Sequence, residues 1–243
     1  LDFLHGGAPG LKLKSRWQPP AINAAKPEVA ASGRQLLSLL ANPNICSREP
    51  VIRQYDHEVQ GGSVIKPLMG PRQISPCDAG VLLPRPSEKK GIAVACGMAP
   101  RMSTYDPALM AKMSVDEAVR SVVSVGADPD TISLLDNFCW PDPVESPRNP
   151  DAQTKMAQLV LSVKALHDIC LTYKSPLTPG KDSMKNDFDD GRLRLSVLPT
   201  LLVSSLAMVP DAGLAVSSDF KQAGDLVYLL SAGTPSLLAS QLV

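Results

Sequence analysis

Five groups of residues have types and spacings that suit chemistry. The first is "SPLTPGKDSMKND", where Gly180, Lys181 and Ser183 put a small residue, an ammonium and a hydroxyl within four positions. Read as a loop, its backbone N–H groups and the ammonium suit a phosphate. The GxxxxGK[ST] spacing of a P-loop is absent. The second is Glu117 with Ser121, one turn apart on a predicted helix. A carboxylate and a hydroxyl on one face suit Mg²⁺, which takes oxygen ligands. Glu117 is equally readable as a surface or helix-dipole carboxylate. The third is Asp136 and Asn137, read as the end of a buried strand, where open sheets present functional side chains. The competing reading is a turn-capping aspartate. The fourth is the run "GIAVAC" leading into Gly97, Pro100 and Arg101, either an anion-meeting strand end or an ordinary turn with a surface arginine. The fifth is "VIRQYDHEVQGG". As a strand it places Arg53, Tyr55, His57 and Val59 on one face and Gln54, Asp56, Glu58 and Gln60 on the other. Such a polar strand suits an interface or a ligand edge, and equally a solvated edge.

These groups need elements to position them. Residues 1–25 read as a linker. A short helix is predicted over 27–41, then two short strands between Val51 and Lys66 about Gly61 and Gly62. Strands follow at 79–83 and 91–96. Leu109, Met113, Ala118, Val122 and Val125 predict a helix over 107–125, with Gly126 ending it. A strand at 131–135 leads to the loop "NFCWPDPVESPRNP". A second long helix spans 151–173, marked by Met156, Leu159, Val160, Val163, Leu166 and Cys170. A strand-loop unit at 177–185, an acidic turn, one or two strands over 193–209, a strand "GDLVYLLS" and a helix begun by Thr234 and Pro235 complete the order. The alternation predicts an α/β or α+β architecture.

Composition narrows the class. Of 243 residues, 44% are apolar, enough for a core and too many for a charged disordered chain. Lys plus Arg and Asp plus Glu are 24 each, so net charge gives no case for nucleic acid or a membrane surface as partner. Leu195–Val209 is too short and polar for a membrane span. Five cysteines without a CxxC pair, and three histidines, argue against structural zinc and for reduced thiols in a cytoplasmic protein. The 23 prolines predict many short elements with rigid connections. With no initiator Met, and a helical pattern still running at Val243, both ends read as cuts in a longer polypeptide.

In order, "PNICSREPVIRQYDHEVQGG", "GIAVACGMAPR", "DEAVRSVVSVGADP", "LLDNFCWPDP" and "PGKDSMKND" resemble the phosphoribosylformylglycinamidine synthases from about residue 27 onward. The resemblance implies an α+β, aminoimidazole-ribonucleotide-synthetase-like (PurM-like) fold, from the second of two tandem halves. It implies a linker at 1–44, the N-terminal-type domain with a mixed sheet and flanking helices at 45–190, and an incomplete C-terminal-type α/β domain at 194–243. The implied reaction converts formylglycinamide ribonucleotide (FGAR) to its amidine, using ATP, Mg²⁺ and glutamine-derived ammonia, through an iminophosphate. The implied partners are a glutaminase domain or subunit and the first synthetase half. No catalytic residue is assigned on this chain. Gly180, Lys181 and Ser183 are implied in nucleotide, metal or substrate binding. Lys181 stands where shorter family forms carry Asn, and an ammonium cannot ligate Mg²⁺, so it is assigned to phosphate. Asp78 and Glu117 match two carboxylate ligands of an auxiliary Mg²⁺–nucleotide site, with Ser121 replacing an Asn; a further Asp of that site falls beyond Val243. Asp136 and Asn137 match a strand near the nucleotide, although shorter forms place their Asp at the position of Leu134. The alternative is a structural half that holds an auxiliary nucleotide and forms the domain interface.

Overall fold

The computed structural model describes residues 2–7, 10–21, 32–56, 58–231, 236 and 238–241. Its helices are α1 (Asp2–His5), α2 (Gly33–Leu40), α3 (Glu49–Ile52), α4 (Pro107–Ser124) and α5 (Ala152–Tyr173). Its strands are β1 (Ser63–Ile65), β2 (Leu68–Met69), β3 (Ser75–Pro76), β4 (Ala79–Leu82), β5 (Gly91–Met98), β6 (Ser133–Cys139), β7 (Leu177–Ser183), β8 (Asp187–Asp189), β9 (Arg194–Ser196) and β10 (Thr200–Val209). Six of them form one sheet in the order β1-β4-β5-β10-β6-β7. All neighbours run antiparallel except β6 and β7, which α5 connects as a parallel pair. The mixed sheet with helices packed on it is an α+β architecture.

Small residues set the layer spacing. Gly91, Ala93, Ala95 and Gly97 make up the buried face of β5, and α4 lies across β5 and β10. Asp106 caps α4 by accepting from the Leu109 N–H at 2.9 Å, and Pro107 supplies a preset φ at its first turn. Met110, Val115, Ala118 and Val122 are fully buried against Val81, Leu134, Leu201 and Val203. Buried hydroxyls join the layers: Ser205 donates to the Ala118 carbonyl at 2.7 Å, and Ser162 donates to that of Pro107 at 3.1 Å. A core built mostly of Ala, Val, Leu and Met, with Phe138 and Trp140 as its aromatics, explains how 4% aromatic content suffices.

The other face of the sheet is uncovered among the described residues. It carries Leu82, Val94, Cys96, Met98, Leu135, Leu206 and Met208, all exposed.

Several expectations change. The strand expected from Val51 is the helical turn α3, because Pro50 favours a first helical turn and Arg53 pairs back to Glu49 at 2.6 Å. Only β1 is formed beyond Gly61. The helix expected over 27–41 is seen at Gly33–Leu40, begun by Ser32, whose side chain accepts from the Gln35 N–H; 22–31 lie outside the described residues. The strand at 131–135 runs on to Cys139, because ladders to β10 and β7 hold it on both sides. Gly180, Lys181 and Ser183 therefore sit in strand β7 and not in a loop. The region 193–209 is two strands, β9 and β10, and β10 lies in the middle of the sheet. The boundary expected at 194 is thus too early, since this sheet needs the chain through Val209. "GDLVYLLS" forms no strand, and Leu226–Leu230 are exposed and pair with no strand among the described residues. Thr234 and Pro235 lie outside the described residues. No described helix is long and apolar enough to cross a membrane.

Candidate functional site

Chain pairing brings Asp78, Glu117 and Ser121 together. Asp78 immediately precedes β4, while Glu117 and Ser121 lie one turn apart on α4. With Arg120 and Ser124 they line a cleft of about 310 Å³ on the helix side of the sheet. Glu117 Oε2 accepts the Met98 N–H at 2.8 Å, which ties the carboxylate to the end of β5. Gly97 permits that approach. A Cβ there would lie 2.3 Å from the Ser114 carbonyl oxygen and 2.7 Å from the Ala118 nitrogen. Two carboxylates and a hydroxyl are an all-oxygen donor set, which fits Mg²⁺ with water completing the shell. No group of three or more His, Cys, Asp or Glu side chains suited to a metal occurs among the described residues.

The remaining predicted residues gather elsewhere. Adjacent strand residues point to opposite faces, so Asp136 and Asn137 do not act on one ligand from one side. Asp136 shares the buried side with Leu134 and Phe138. Burial raises its pKa, partly offset by its own backbone N–H, and the Asp182 charge raises it further. Asp136 also sits against Gly180, where a Cβ would be 2.5 Å from its Oδ1. The glycine is needed there because β7 bulges between the partners of Leu135 and Asn137. Beyond the bulge Lys181 pairs in register with Asn137, and Ser183 with Cys139. Across the open face the register runs Met98, Leu202, Asn137, Lys181. Asn137, Lys181 and Ser183 therefore form an edge group on the open face, opposite the Asp78–Glu117 cleft.

A buried polar network anchors this edge, and sequence pattern did not signal it. The Ser183 carbonyl accepts from the Trp140 N–H at 2.8 Å and the Asn186 side chain at 2.8 Å. Asp187, its side chain only 6% exposed, meets Arg194 at 3.4 Å and accepts from the Asp142 N–H at 2.7 Å. Burial alone would raise the Asp187 pKa. Bonds from Ser196 and the Asp142 backbone, with the charges of Arg194 and Lys155, overcome that and hold it below the usual carboxylate range. Lys155, itself buried, reaches Asn149 at 2.6 Å, Asp151 at 2.9 Å and Ser196 at 3.0 Å.

Other candidates have local partners. Arg53 also reaches the Gln73 carbonyl at 2.9 Å, Glu58 pairs with Lys66, and the Glu58 N–H bonds Asp56. Gln60 adopts a positive φ within the turn before Gly62. His57 lies outside the described residues. Arg101, at the end of β5, donates to Gln241 at 3.5 Å.

The sheet order, the helix layer and the strand-end cleft define a PurM-like N-terminal domain of the aminoimidazole-ribonucleotide-synthetase fold. The family model "FGAR-AT PurM_N-like domain" matches residues 47–208, and the chain belongs to that family. It is 33% identical over 205 residues to the phosphoribosylformylglycinamidine synthase subunit PurL of Picrophilus torridus, covering 84% of this chain and 26% of that protein. It is 33% identical over 218 residues to the subunit PurL of Gloeobacter violaceus, covering 85% and 26%. The chain spans about a quarter of the length of the curated relatives it matches. Among solved structures, PurLQS from Thermotoga maritima superposes with a TM-score of 0.54 at 25% identity, covering 72% of this chain and 25% of that one.

Proposed function

We propose that this chain supplies the second of two related halves of an ATP-dependent FGAR amidination synthetase, working with the first half and a glutaminase domain or subunit. The carrying observation is the open-face edge group of Asn137, Lys181 and Ser183 in a chain of this family. The naming of its relatives as PurL subunits of phosphoribosylformylglycinamidine synthase supports the substrate assignment. In the proposed reaction the FGAR amide oxygen takes the γ-phosphoryl group of ATP, and ADP leaves. Ammonia then adds at that carbon, and inorganic phosphate departs with the oxygen. Mg²⁺, when bound, offsets phosphate charge. Asp78, Glu117 and Ser121 would hold the Mg²⁺ of an auxiliary nucleotide in the helix-side cleft, apart from the reacting phosphates on the open face. Lys181, which makes no ion pair among the described residues, would contact phosphate as a cation, with Asn137 and Ser183 beside it on the open face. Asp136 serves from the buried side by fixing β7.

The second reading is a half that holds an auxiliary nucleotide and forms the domain interface. The uncovered apolar face around Val94, Leu135 and Leu206 favours it, since patches of this kind mark interfaces. From Pro210 onward the chain would pass into the C-terminal-type domain, whose sheet would pair Leu226–Leu230. The test is phosphate release by the full enzyme given ATP, Mg²⁺ and ammonium. Release that requires FGAR and yields the amidine is expected. FGAR-independent release without amidine formation would overturn the assignment.

A further inference from the structure

One buried cation takes no part in the proposed reaction. Lys155 lies in the first turn of α5, and its side chain is only 9% exposed. A buried ammonium has to be paired, and three oxygens surround this one. Asn149 Oδ1 stands at 2.6 Å, Asp151 Oδ1 at 2.9 Å and Ser196 Oγ at 3.0 Å. They belong to the loop before α5, the N-cap of α5 and strand β9. An apolar side chain of similar length would fill the space without taking a charge out of water. What the ammonium adds is a fixed relation between three elements.

That relation leads to the edge group. The Lys155 carbonyl accepts from Trp140 Nε1 at 2.9 Å, and Trp140 is fully buried just past β6. The Trp140 backbone N–H donates to the Ser183 carbonyl, and the Trp140 carbonyl accepts the Asn186 N–H at 3.0 Å. Asn186 Nδ2 donates to the same Ser183 carbonyl, so both its lone pairs are engaged. The turn between them holds Lys185 in the left-handed region at φ 60°. β7 has a neighbouring strand on one side only among the described residues, and a bulge interrupts it before Lys181. Lys181 and Ser183 share a face two residues apart, so the clamp at the end of β7 sets both.

We propose that Lys155 and Asn186 are positioning residues for the edge group, Lys155 acting through Trp140 and Asn186 directly on Ser183. The proposal rests on the reading of Lys181 as a phosphate contact.

The test is a double-mutant cycle in the full enzyme, with thermal unfolding measured on each preparation. Asn186→Ala should lower kcat for amidine formation about tenfold and leave KM for FGAR unchanged, because misplacement removes contacts made in the transition state. Lys155→Met should act likewise from the far end. Ser196→Ala, which removes one of the three bonds to the ammonium, should lower kcat about threefold. In a Lys181→Ala background Asn186→Ala should lower kcat by less than about twofold more, because the group it positions is gone. Its effect on the melting temperature should be the same in both backgrounds, which separates positioning from stability. If Lys155→Met does not fold, Asn186→Ala and Ser196→Ala carry the cycle. Equal fold-losses in both backgrounds, or wild-type turnover in Asn186→Ala and Ser196→Ala, would overturn the positioning role alone. Wild-type turnover in Lys181→Ala by itself would overturn the phosphate reading and this inference with it.

Discussion

Gly97→Ala tests how the cleft is built. An added Cβ would stand 2.3 Å from the Ser114 carbonyl oxygen, 2.7 Å from the Ala118 nitrogen and 2.8 Å from the Glu117 Cβ. The first two are backbone atoms of α4, so no side chain can turn aside. Relief requires the helix to lift from β5 by about 1 Å, and overpacking of this kind costs about 1–3 kcal/mol. The same lift stretches the 2.8 Å bond from the Met98 N–H to Glu117 beyond hydrogen-bond range. In a domain of this size each kcal/mol moves the melting temperature by roughly 2–4 °C, so a drop of about 2–12 °C is expected. Thermal unfolding followed by circular dichroism reads that drop, and Mn²⁺ titration of the folded variant reads the displaced Glu117. Gly33→Ala is the control, since nothing lies within 4 Å of its added Cβ. A Gly97→Ala variant that melts with the wild type and binds Mn²⁺ equally would refute the view that this contact sets the cleft.

Gly180→Ala should cost about 2 kcal/mol in urea unfolding, because its Cβ meets both the carbonyl and the carboxylate of Asp136; an unchanged midpoint would contradict the bulge geometry. Asp187 has a lowered pKa in the folded state, so its contribution is present above the ordinary carboxylate pKa and is lost as pH falls through the lowered value. Stability measured below about pH 4 should therefore decline less steeply in Asp187→Asn, which starts about 2–3 kcal/mol less stable at neutral pH. Lys174 ends α5 in the left-handed region at φ 55°, so Lys174→Gly should raise the melting temperature, by about 0.5–1 kcal/mol of stability.

Long-period elements were readable from sequence, and non-local pairings were not. Leu109 through Val125 and Met156 through Cys170 carry helical spacing of their own, and α4 and α5 fall within a residue of the expected bounds. The place of β10 between β5 and β6 depends on partners more than 60 residues away, so local pattern showed strand character over 193–209 and not where it pairs, and the boundary at 194 came from the resemblance. The same blindness ended β6 at Leu135 and placed Asp136 and Asn137 at a strand end. Alternating types misread Val51–Gln60, where Pro50 and the Glu49–Arg53 pair favour a turn of helix. At the cleft, Glu117 and Ser121 were legible as a one-turn pair. Asp78 was legible only through family resemblance, because its proximity to α4 is a product of the fold.

The central claim is that this half contributes binding groups to FGAR amidination and does more than form an interface. Lys181→Ala in the full enzyme tests it most directly, with amidine formation and thermal unfolding measured on the same preparation. Turnover should fall at least about a hundredfold, as for loss of a phosphate contact, with the melting temperature unchanged. Wild-type turnover with a lowered melting temperature would contradict it and leave the structural reading in its place.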